Sequence, residues 1–298
     1  MTAPPPLSIG LPVYNGERYL AAAIQSLLDQ DFGDFELFIS DNASEDRTPD
    51  IARAFAATDK RIRYERLDQN LGASVNHNRV FQAARSPFFK WAAHDDICGP
   101  GFLRACMDGL ADEPEAVLCH GQSVMIDAWG HPLGVVNTET AADQNQPHRR
   151  FRHMITSPHM CILVFGVIRR EVMSRTALLA PYVGSDRTLL AELSLQGKLI
   201  VRENVRFFRR AHPESSIHKH VDEAERLHWF DPSLRGRSRT PTWRRGRAYA
   251  EAILRARISP LEKLRAFGEL VQWPAARHHT GPRVARLLLN EALGRGSM

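Results

Sequence analysis

Two adjacent carboxylates lie at an abrupt junction in the first half of the chain. The segment 88–103, FFKWAAHDDICGPGFL, starts as an apolar and aromatic run and then turns to His94, Asp95 and Asp96. Neighbouring carboxylates repel each other, and burying them costs several kcal/mol each unless a cation compensates for the charge. A second interpretation is that the pair caps a helix predicted over 100–111. The residue types alone leave both interpretations open.

Polar or turn-forming residues also follow two other strand-like segments. The apolar segment 7–14 ends in Pro12-Val13-Tyr14 and is followed by Asn15. The segment 35–40 is followed by Asp41 and Asn42. In a parallel sheet with crossover helices, ligands bind beyond the carboxyl ends of the strands. The three polar clusters are therefore expected to meet at one edge of the sheet.

Strand and helix patterns alternate through the first half, which predicts a parallel, doubly wound sheet. Strands are predicted at 7–14, 35–40, 61–67 and 88–93, and helices at 17–30, from Pro49 onwards, at 76–85 and at 100–111. The second half is less regular. A polar loop is predicted at 137–150, a strand leading into a helix at 161–170, a helix at 185–197, two short strands within 199–210 and a loop at 211–220.

The composition indicates a globular protein with a reducing environment. Hydrophobic residues make up 43% of the 298 residues, and the four cysteines show no C-x-x-C spacing. The longest apolar run is far shorter than the ~20 residues of a membrane helix. The first residues show no secretory signal, so a cytoplasmic location is expected.

The net charge of +5 is unevenly distributed. Eight arginines lie between Arg235 and Arg257, with Glu251 as their one acidic neighbour. We call these eight residues the arginine stripe. Such a cluster is typical of a surface that meets phosphates, anionic lipid or nucleic acid, but also of a solvated tail.

Residues 7–127 resemble the nucleotide-sugar half of family 2 inverting glycosyltransferases with the A-type fold. The matching elements are P-x-Y-N after the first strand, S-D-N-A-S-E-D after the second, N-x-G before a helix, and an Asp-Asp pair after the fourth strand. An ordered series of motifs is far more specific than any single motif. The resemblance implies an α/β fold with a single Rossmann-like mixed sheet flanked by helices.

The resemblance also implies how a nucleotide-diphosphate sugar donor is held. Asp41 would accept a hydrogen bond from the N3–H of the base; an Asx turn is the alternative for this residue, and both can hold at once. His94 would lie near the ribose. The residues implied to bind the donor are Pro12, Val13, Tyr14, Asn15, Asp41, Asn70, Gly72, Asn78, His94, Asp95 and Asp96.

A divalent ion, Mn²⁺ or Mg²⁺, is implied as cofactor, because carboxylates approach a diphosphate only with a cation between them. Asp95 would bind the metal directly, and Asp96 would contact the metal, its water or the sugar. A late histidine would add a further metal ligand or a contact with the diphosphate, although three histidines in nine residues are equally typical of a surface loop. Among the histidines of 211–220, His218 is preferred over His212.

Asp186, in the sequence GSDRTLL, matches the acidic residue that many family members carry at a helix start. Inverting transfer needs a base to take the proton of the acceptor hydroxyl. The alternative is an ordinary helix-capping aspartate.

Two departures from the family pattern bear on the reaction. Ala93 replaces the first aspartate of the usual D-x-D-D box, so Asp95 takes the position of the second. The Q-x-x-R-W sequence of processive synthases is not found, which favours the transfer of a single sugar.

The chain is interpreted as a catalytic domain over 1–230 and a basic, mainly helical extension over 231–298. The catalytic domain comprises a nucleotide-sugar half at about 7–127 and an acceptor half at about 128–230. The expected acceptor is a hydroxyl group on a glycan, glycolipid or natural product, with lipid-linked acceptors and polysaccharide precursors included. Peripheral association with an anionic membrane at its inner face and homodimerisation stay open, and nucleic acid is not expected. The alternatives are a nucleotidyltransferase and a non-catalytic basic protein that binds membrane or nucleic acid.

Overall fold

The computed structural model describes residues 4–136, 144–215, 223–234 and 242–273 of the chain. The strands in this part are β1 Leu7–Val13, β2 Phe35–Asp41, β3 Ile62–Arg66, β4 Phe88–Trp91, β5 Ile97–Cys98, β6 Ala116–Ile126, β7 Pro132–Val136, β8 Val167–Arg169 and β9 Lys198–Arg210. The helices are α1 Leu20–Leu28, α2 Thr48–Thr58, α3 Ala73–Ala83, α4 Phe102–Asp112, α5 Pro147–Thr156, α6 Arg170–Met173, α7 Ser185–Gln196, α8 Glu223–Phe230, α9 Thr242–Arg255 and α10 Pro260–Gln272.

The strands form one mixed sheet in the order β3-β2-β1-β4-β8-β6-β9-β5, with β7 paired to β6. The first four strands in this order are parallel. β8 runs antiparallel to both of its neighbours, whereas β6 and β9 are parallel. The expected α/β class with a mixed sheet flanked by helices is therefore confirmed.

The carboxyl ends of β1, β2 and β3 lie level with one another. Val13 pairs with Asp41, and Asp41 pairs in turn with Arg66. The loops that follow these strands therefore start from the same edge, as the sequence predicted.

Helices cover both faces of the sheet. Neighbouring strand residues alternate between two hydrophobic clusters: Leu118 packs with the first and Cys119 with the second. The first cluster contains side chains of α3, α5, α7, α9 and α10, and the second contains side chains of α1 and α4 and Ala52 of α2. Burial on both faces explains why the central strands read as continuous apolar runs.

Helices α9 and α10 share the first cluster with α5 and α7. Tyr249 is fully buried, and its ring lies edge-on to Phe151 of α5 and to Trp273. Residues 242–273 thus pack on the same core as the part of the chain before residue 230. The domain boundary at 230 stays a prediction, and any boundary there must cross this shared core.

Three local predictions were wrong. Lys198–Arg210 forms one strand instead of two, with a register shift opposite Gly121 and Gln122. A Cβ at Gly121 would lie 2.9 Å from the Val205 carbonyl oxygen, so this glycine lets the bulged strand approach β6. Helix α5 begins inside the predicted loop 137–150, because its apolar residues lie beyond that window. Residues 162–165 form a 3₁₀ turn, and only Val167–Arg169 are strand.

Among the described residues, no helix is long and apolar enough to cross a membrane. His218, the first half of the predicted loop at 137–150, and Arg235, Arg237 and Arg239 of the arginine stripe lie outside the described residues.

Candidate active site at the carboxyl edge of the sheet

Asp41 is fully buried at the end of β2, and both of its carboxylate oxygens have partners. Oδ1 accepts from the backbone N–H of Ser44, three residues further on, at 2.8 Å, whereas an Asx turn would pair it with the N–H two residues on. Oδ2 accepts from the Tyr64 hydroxyl at 2.8 Å, and the Arg66 guanidinium lies 3.7 Å away. Burial and then this hydrogen bond raise the pKa of Tyr64. Each carboxylate oxygen has a second lone pair, so a contact with a base stays a prediction.

The loops after β1 and β2 are joined by hydrogen bonds. Asn15, with a positive φ of 51°, donates its backbone N–H to Ser44 Oγ at 2.9 Å and accepts from the Glu45 N–H at 2.9 Å. The Gly16 N–H donates to Thr48 Oγ1 at 2.8 Å. Thr48 therefore ties the loops together instead of capping α2. Pro12 and Val13 are buried, whereas the Tyr14 ring is 37% exposed and accessible to a ligand.

Asn70 and Gly72 belong to the same edge. Asn70 Oδ1 accepts from Asn42 Nδ2 at 2.8 Å and from the Gly72 N–H at 2.9 Å. Gly72 has a φ of 86°, and a Cβ there would lie 2.6 Å from the Phe230 carbonyl oxygen of α8. The 70–72 loop is therefore held between Asn42 and α8.

Asn78 faces another part of the molecule. Its amide nitrogen donates to the Leu179 carbonyl at 2.8 Å, and its oxygen accepts from the Leu179 N–H at 3.1 Å. These bonds anchor α3 to the segment before α7, and the donor contact predicted for Asn78 stays a prediction. Asn76, which the sequence analysis missed, is buried and bridges Ser40 and the end of β1.

Asp95 contacts His212, which follows β9. Asp95 Oδ2 lies 2.9 Å from His212 Nε2, and the histidine side chain is only 3% exposed. The other ring nitrogen, Nδ1, is buried without a hydrogen-bond partner. Burial would raise the pKa of Asp95, but the His94 charge, the His212 hydrogen bond and the Arg209 charge outweigh burial and hold the pKa well below its usual range.

Asp96 has a different environment from its neighbour. Its Oδ1 accepts from the Arg210 N–H at 2.9 Å, and the residue is buried. Burial and the Asp95 charge raise the pKa of Asp96 to about 7. The Arg210 guanidinium donates to the Asp95 carbonyl at 2.9 Å and packs over the Tyr19 ring. Arg210 of β9 therefore fixes the side chain of Asp96 and the backbone of Asp95.

His94 lies where the loop after β1 meets the loop after β4. A Cβ on Gly16 would come within 2.8 Å of His94 Cδ2, so this glycine makes room for the ring. The His94 side chain therefore adjoins both the loop after β1 and the carboxylate of Asp95.

Asp186 lies in the first turn of α7, after Gly184 with its φ of 89°. Its Oδ1 accepts from the Arg187 N–H at 2.7 Å. Burial and then the Asp186 charge raise the pKa of the Cys161 thiol, so the carboxylate lies beside this cysteine. The Arg187 guanidinium donates to the Ser157 and His159 carbonyls, which fixes the segment leading to Cys161.

The positive charge of Arg209 acts on the Asp95–Asp96 pair and on Cys161. This charge contributes to the low pKa of Asp95, and it partly offsets the rise in the pKa of Asp96 and of Cys161, which lies next to Asp186. Arg209 is not recognisable from the sequence, because one arginine in the run VRFFRR has no feature that distinguishes it from its neighbours.

A family model described as Glycosyl transferase family 2 matches residues 8–175, which is more than half of the chain. The chain belongs to glycosyltransferase family 2. The match includes β1, β2 and the Asp95–Asp96 pair, and it ends before the helix that carries Asp186.

Family 2 relatives resemble mainly the first half of the chain. A putative glycosyltransferase EpsH of Bacillus subtilis is 28% identical over 144 residues, covering 48% of this chain and 41% of EpsH. A putative teichuronic acid biosynthesis glycosyltransferase, TuaG, of the same organism is 33% identical over 129 residues, covering 43% of this chain and 51% of TuaG. The chain thus spans about half the length of these curated relatives.

Solved structures resemble the whole fold of this family 2 chain. Staphylococcus aureus TarS residues 1–349 in complex with UDP-GlcNAc align over 90% of this chain and 72% of theirs, with a TM-score of 0.61 and 18% identity. The mannosyltransferase PcManGT of Pyrobaculum calidifontis, in complex with GDP-Man and Mn²⁺, aligns over 99% and 82%, with a TM-score of 0.53 and 17% identity. At these identities the likeness shows the fold.

The donor atoms of the site fit a divalent ion that is shared with a nucleotide. Asp95 and Asp96 offer carboxylate oxygens, and His212 Nε2 lies 2.9 Å from Asp95 Oδ2. In the described ranges, no group of three or more His, Cys, Asp or Glu side chains is placed to hold an ion without further ligands. Mg²⁺ is commonly held by one or two carboxylates together with substrate phosphates. The residues of this family 2 site therefore fit an ion that the donor completes.

Proposed function

We propose that the chain is an inverting, metal-dependent glycosyltransferase that moves one sugar from a nucleotide-diphosphate sugar to a hydroxyl acceptor. The observation that carries the proposal is the meeting of Asp95 with His212 at the sheet edge where the Asp41 and Asn15 loops also converge. Family membership favours glycosyl transfer over a nucleotidyltransferase and over a non-catalytic basic protein.

The nucleotide part of the donor would occupy the sheet edge formed by the loops after β1, β2 and β3. Asp41 would accept from the base, and the exposed Tyr14 ring offers aromatic surface beside it. The 70–72 loop would close the pocket from the α8 side. The diphosphate would lie against Asp95 and Asp96, with Mn²⁺ or Mg²⁺ neutralising charge on its oxygens.

The chemical step needs one base and one leaving group. Asp186 would take the proton as the acceptor oxygen attacks the anomeric carbon, and the bond from that carbon to the diphosphate oxygen would break on the opposite side. The nucleoside diphosphate leaves with the electron pair of that bond. Because the acceptor attacks the face opposite the leaving group, the configuration at the anomeric carbon inverts. The Arg209 charge, which acts on Asp95, would stabilise the negative charge that develops on the diphosphate.

The acceptor proposed is a lipid-linked glycan or a polysaccharide precursor at the inner face of a membrane. A Campylobacter jejuni relative, 34% identical over 105 residues, is a glucosyltransferase named for a polyprenol-diphosphate substrate, GalNAc(5)-diNAcBac-PP-undecaprenol. The alignment covers 35% of this chain and 34% of that relative, so the acceptor class belongs to the proposal.

The test is the release of nucleoside diphosphate and formation of product from a panel of donors and acceptors with Mn²⁺ or Mg²⁺. We expect the Asp95→Asn variant to lose roughly 10²-fold or more in turnover, and the matched Ala93→Asp variant to stay active. A product that retains the anomeric configuration of the donor would overturn the inverting mechanism, and equal turnover in Asp95→Asn and the unmodified protein would overturn the site.

A further inference from the structure

Five large apolar side chains on α9 and α10 are exposed. They are Trp243, Leu254, Leu261, Leu264 and Val271, with exposed fractions between 55% and 79%. We call them the α9–α10 strip. Large contiguous apolar surfaces of this kind mark places where a protein meets a partner or a membrane.

The strip follows helical geometry on both helices. Leu261, Leu264 and Val271 are spaced by three and seven residues, which puts them on one face of α10, and Gly268 on the same face has open space around it. The opposite side of α10 packs into the core through Ala266. Helix α10 therefore has two apolar faces, and among the described residues only one is covered.

Helix α9 extends the same surface. Trp243 and Leu254 are eleven residues apart, close to three helical turns, so both lie on one face of α9. The Leu254 carbonyl accepts from Lys263 Nζ at 2.7 Å, which holds the end of α9 beside the first turns of α10.

The two helices that carry the strip have an excess of basic residues: residues 242–273 contain seven Lys and Arg against three Asp and Glu. Arg255 is paired with the buried Glu192 at 2.8 Å, and Arg247 is paired with Glu251 at 2.7 Å. Arg255 therefore contributes to the fold, whereas Arg247 makes an exposed surface pair. The basic excess is a property of the whole region: residues 231–298 contain fourteen Lys and Arg against five Asp and Glu, whereas acidic residues outnumber basic ones before residue 231.

We propose that the α9–α10 strip is the surface by which the protein lies on an anionic lipid bilayer. Exposed leucines, a tryptophan at the margin and an excess of basic residues are the features of interfacial helices. A second copy of the chain fits less well, because Leu261 to Val271 span fewer than two heptads, too few for a stable coiled coil.

The α9–α10 strip would give the proposed glycosyltransferase a membrane-binding surface. Helix α9 packs against α7, which carries Asp186 in its first turn, and Arg244 lies over the ring of Tyr182 just before α7. A bilayer bound to the strip would therefore lie on the acceptor side of the molecule. This consequence rests on the proposed function, whereas binding to lipid does not.

The experiment is co-sedimentation of the full chain with vesicles of phosphatidylcholine alone and of phosphatidylcholine mixed with phosphatidylglycerol. The test variant is Leu261→Ser/Leu264→Ser/Val271→Ser, and the matched control is Trp129→Ser/Val135→Ser, which removes two equally exposed apolar side chains from the β6–β7 hairpin. Thermal melts confirm that each variant is folded.

We expect the unmodified protein and the control to bind anionic vesicles, more weakly at high salt because the charge is screened. The triple variant should bind about tenfold more weakly, since it loses apolar contacts with the bilayer. Sedimentation requires no donor, metal or acceptor, so the result is independent of catalysis.

Three results would overturn the proposal. The unmodified protein stays in the supernatant with anionic vesicles, the triple variant binds as the unmodified protein does, or the triple variant changes a dimer into a monomer without a change in vesicle binding. The last result would assign the strip to contact between copies of the chain.

Discussion

Asp95 and Asp96 are neighbours in sequence, and their surroundings shift their pKa values in opposite directions. The His94 charge, the His212 hydrogen bond and the Arg209 charge outweigh burial at Asp95, whereas burial and the Asp95 charge raise the pKa of Asp96 to about 7. Asp95 is therefore the permanent negative charge of the site. Titratable groups whose environments separate their pKa values in this way are frequent at functional sites.

At the residue scale, Asp186→Asn tests the proposed base. Asparagine keeps the shape and caps a helix about as well as aspartate, but it cannot take the proton. We expect turnover to fall roughly 10²–10⁴-fold with donor affinity nearly unchanged. Steady-state kinetics and donor titrations of the same preparation measure the two quantities.

The control for Asp186 is Glu171→Gln, which changes an exposed acidic residue in the first turn of α6. It should leave turnover within about twofold. Near-normal turnover in Asp186→Asn would show that the carboxylate is a cap, and Glu192 and Asp96 would then be the carboxylates to examine.

The sequence identified the carboxylates but not their partners. Asp41, Asp95 and Asp96 each end a strand or follow one, so their common edge follows from the parallel order of the strands. The choice between His212 and His218 depends on where β9 ends and on its register against β6, which a bulge shifts. Local sequence does not encode such a register, because it is set by packing between distant segments.

At the element scale, α5 and α10 are joined by Glu262. The Glu262 carboxylate accepts from His148 Nδ1 at 2.8 Å and from the Arg265 guanidinium at 2.8 Å, and Ser259 caps the same helix by accepting from the Glu262 N–H at 3.2 Å. Burial opposes ionisation, but these hydrogen bonds outweigh it and lower the pKa of Glu262 to about 2 from the usual 4.5. The capping sequence Ser-Pro-Leu-Glu is readable from the chain, whereas the contact with α5 is not.

A lowered pKa predicts stability that depends on pH. Because the folded protein holds Glu262 ionised, its contribution is complete above about 4.5 and is lost as the pH falls towards about 2. We expect Glu262→Gln to lower the free energy of unfolding at pH 7 by about 1–2 kcal/mol. Urea unfolding at several pH values measures the difference, which should shrink below pH 4.5.

The matched control is Glu115→Gln, since Glu115 is 77% exposed and paired with Lys198. Its effect should stay near or below about 0.5 kcal/mol. A difference for Glu262→Gln that grows in acid would contradict the assigned role.

At the scale of the whole molecule, the C-terminal helices are connected to the acceptor half by a buried charge. Glu192 of α7 is fully buried, and it accepts from Arg255 Nε at 2.8 Å and from the Ala177 N–H at 3.1 Å. The arginine stripe suggested a surface role for residues 235–257. Its described members cannot be interpreted from composition alone, because the acidic partner of Arg255 lies 63 positions earlier.

Glu192 is buried although Arg255 is 36% exposed, so removing the arginine leaves a buried carboxylate without its charged partner. We expect Arg255→Ala to lower the free energy of unfolding by about 3 kcal/mol. The control on the same helix, Arg247→Ala, breaks an exposed pair with Glu251 and should cost about 0.5 kcal/mol or less. Equal effects of the two substitutions would indicate that α9 is not held to α7 through Glu192.

The central claim is that this edge of the sheet binds a nucleotide-diphosphate sugar together with a divalent ion. Its most direct test is isothermal titration of nucleotide sugars into the full chain, with Mn²⁺ or with excess chelator. The account predicts that at least one donor binds with Mn²⁺, that chelator weakens this binding, and that Asp95→Asn weakens it while Glu171→Gln does not. Donor binding of equal strength in chelator and in Asp95→Asn, or no binding of any nucleotide sugar with the metal present, would contradict it.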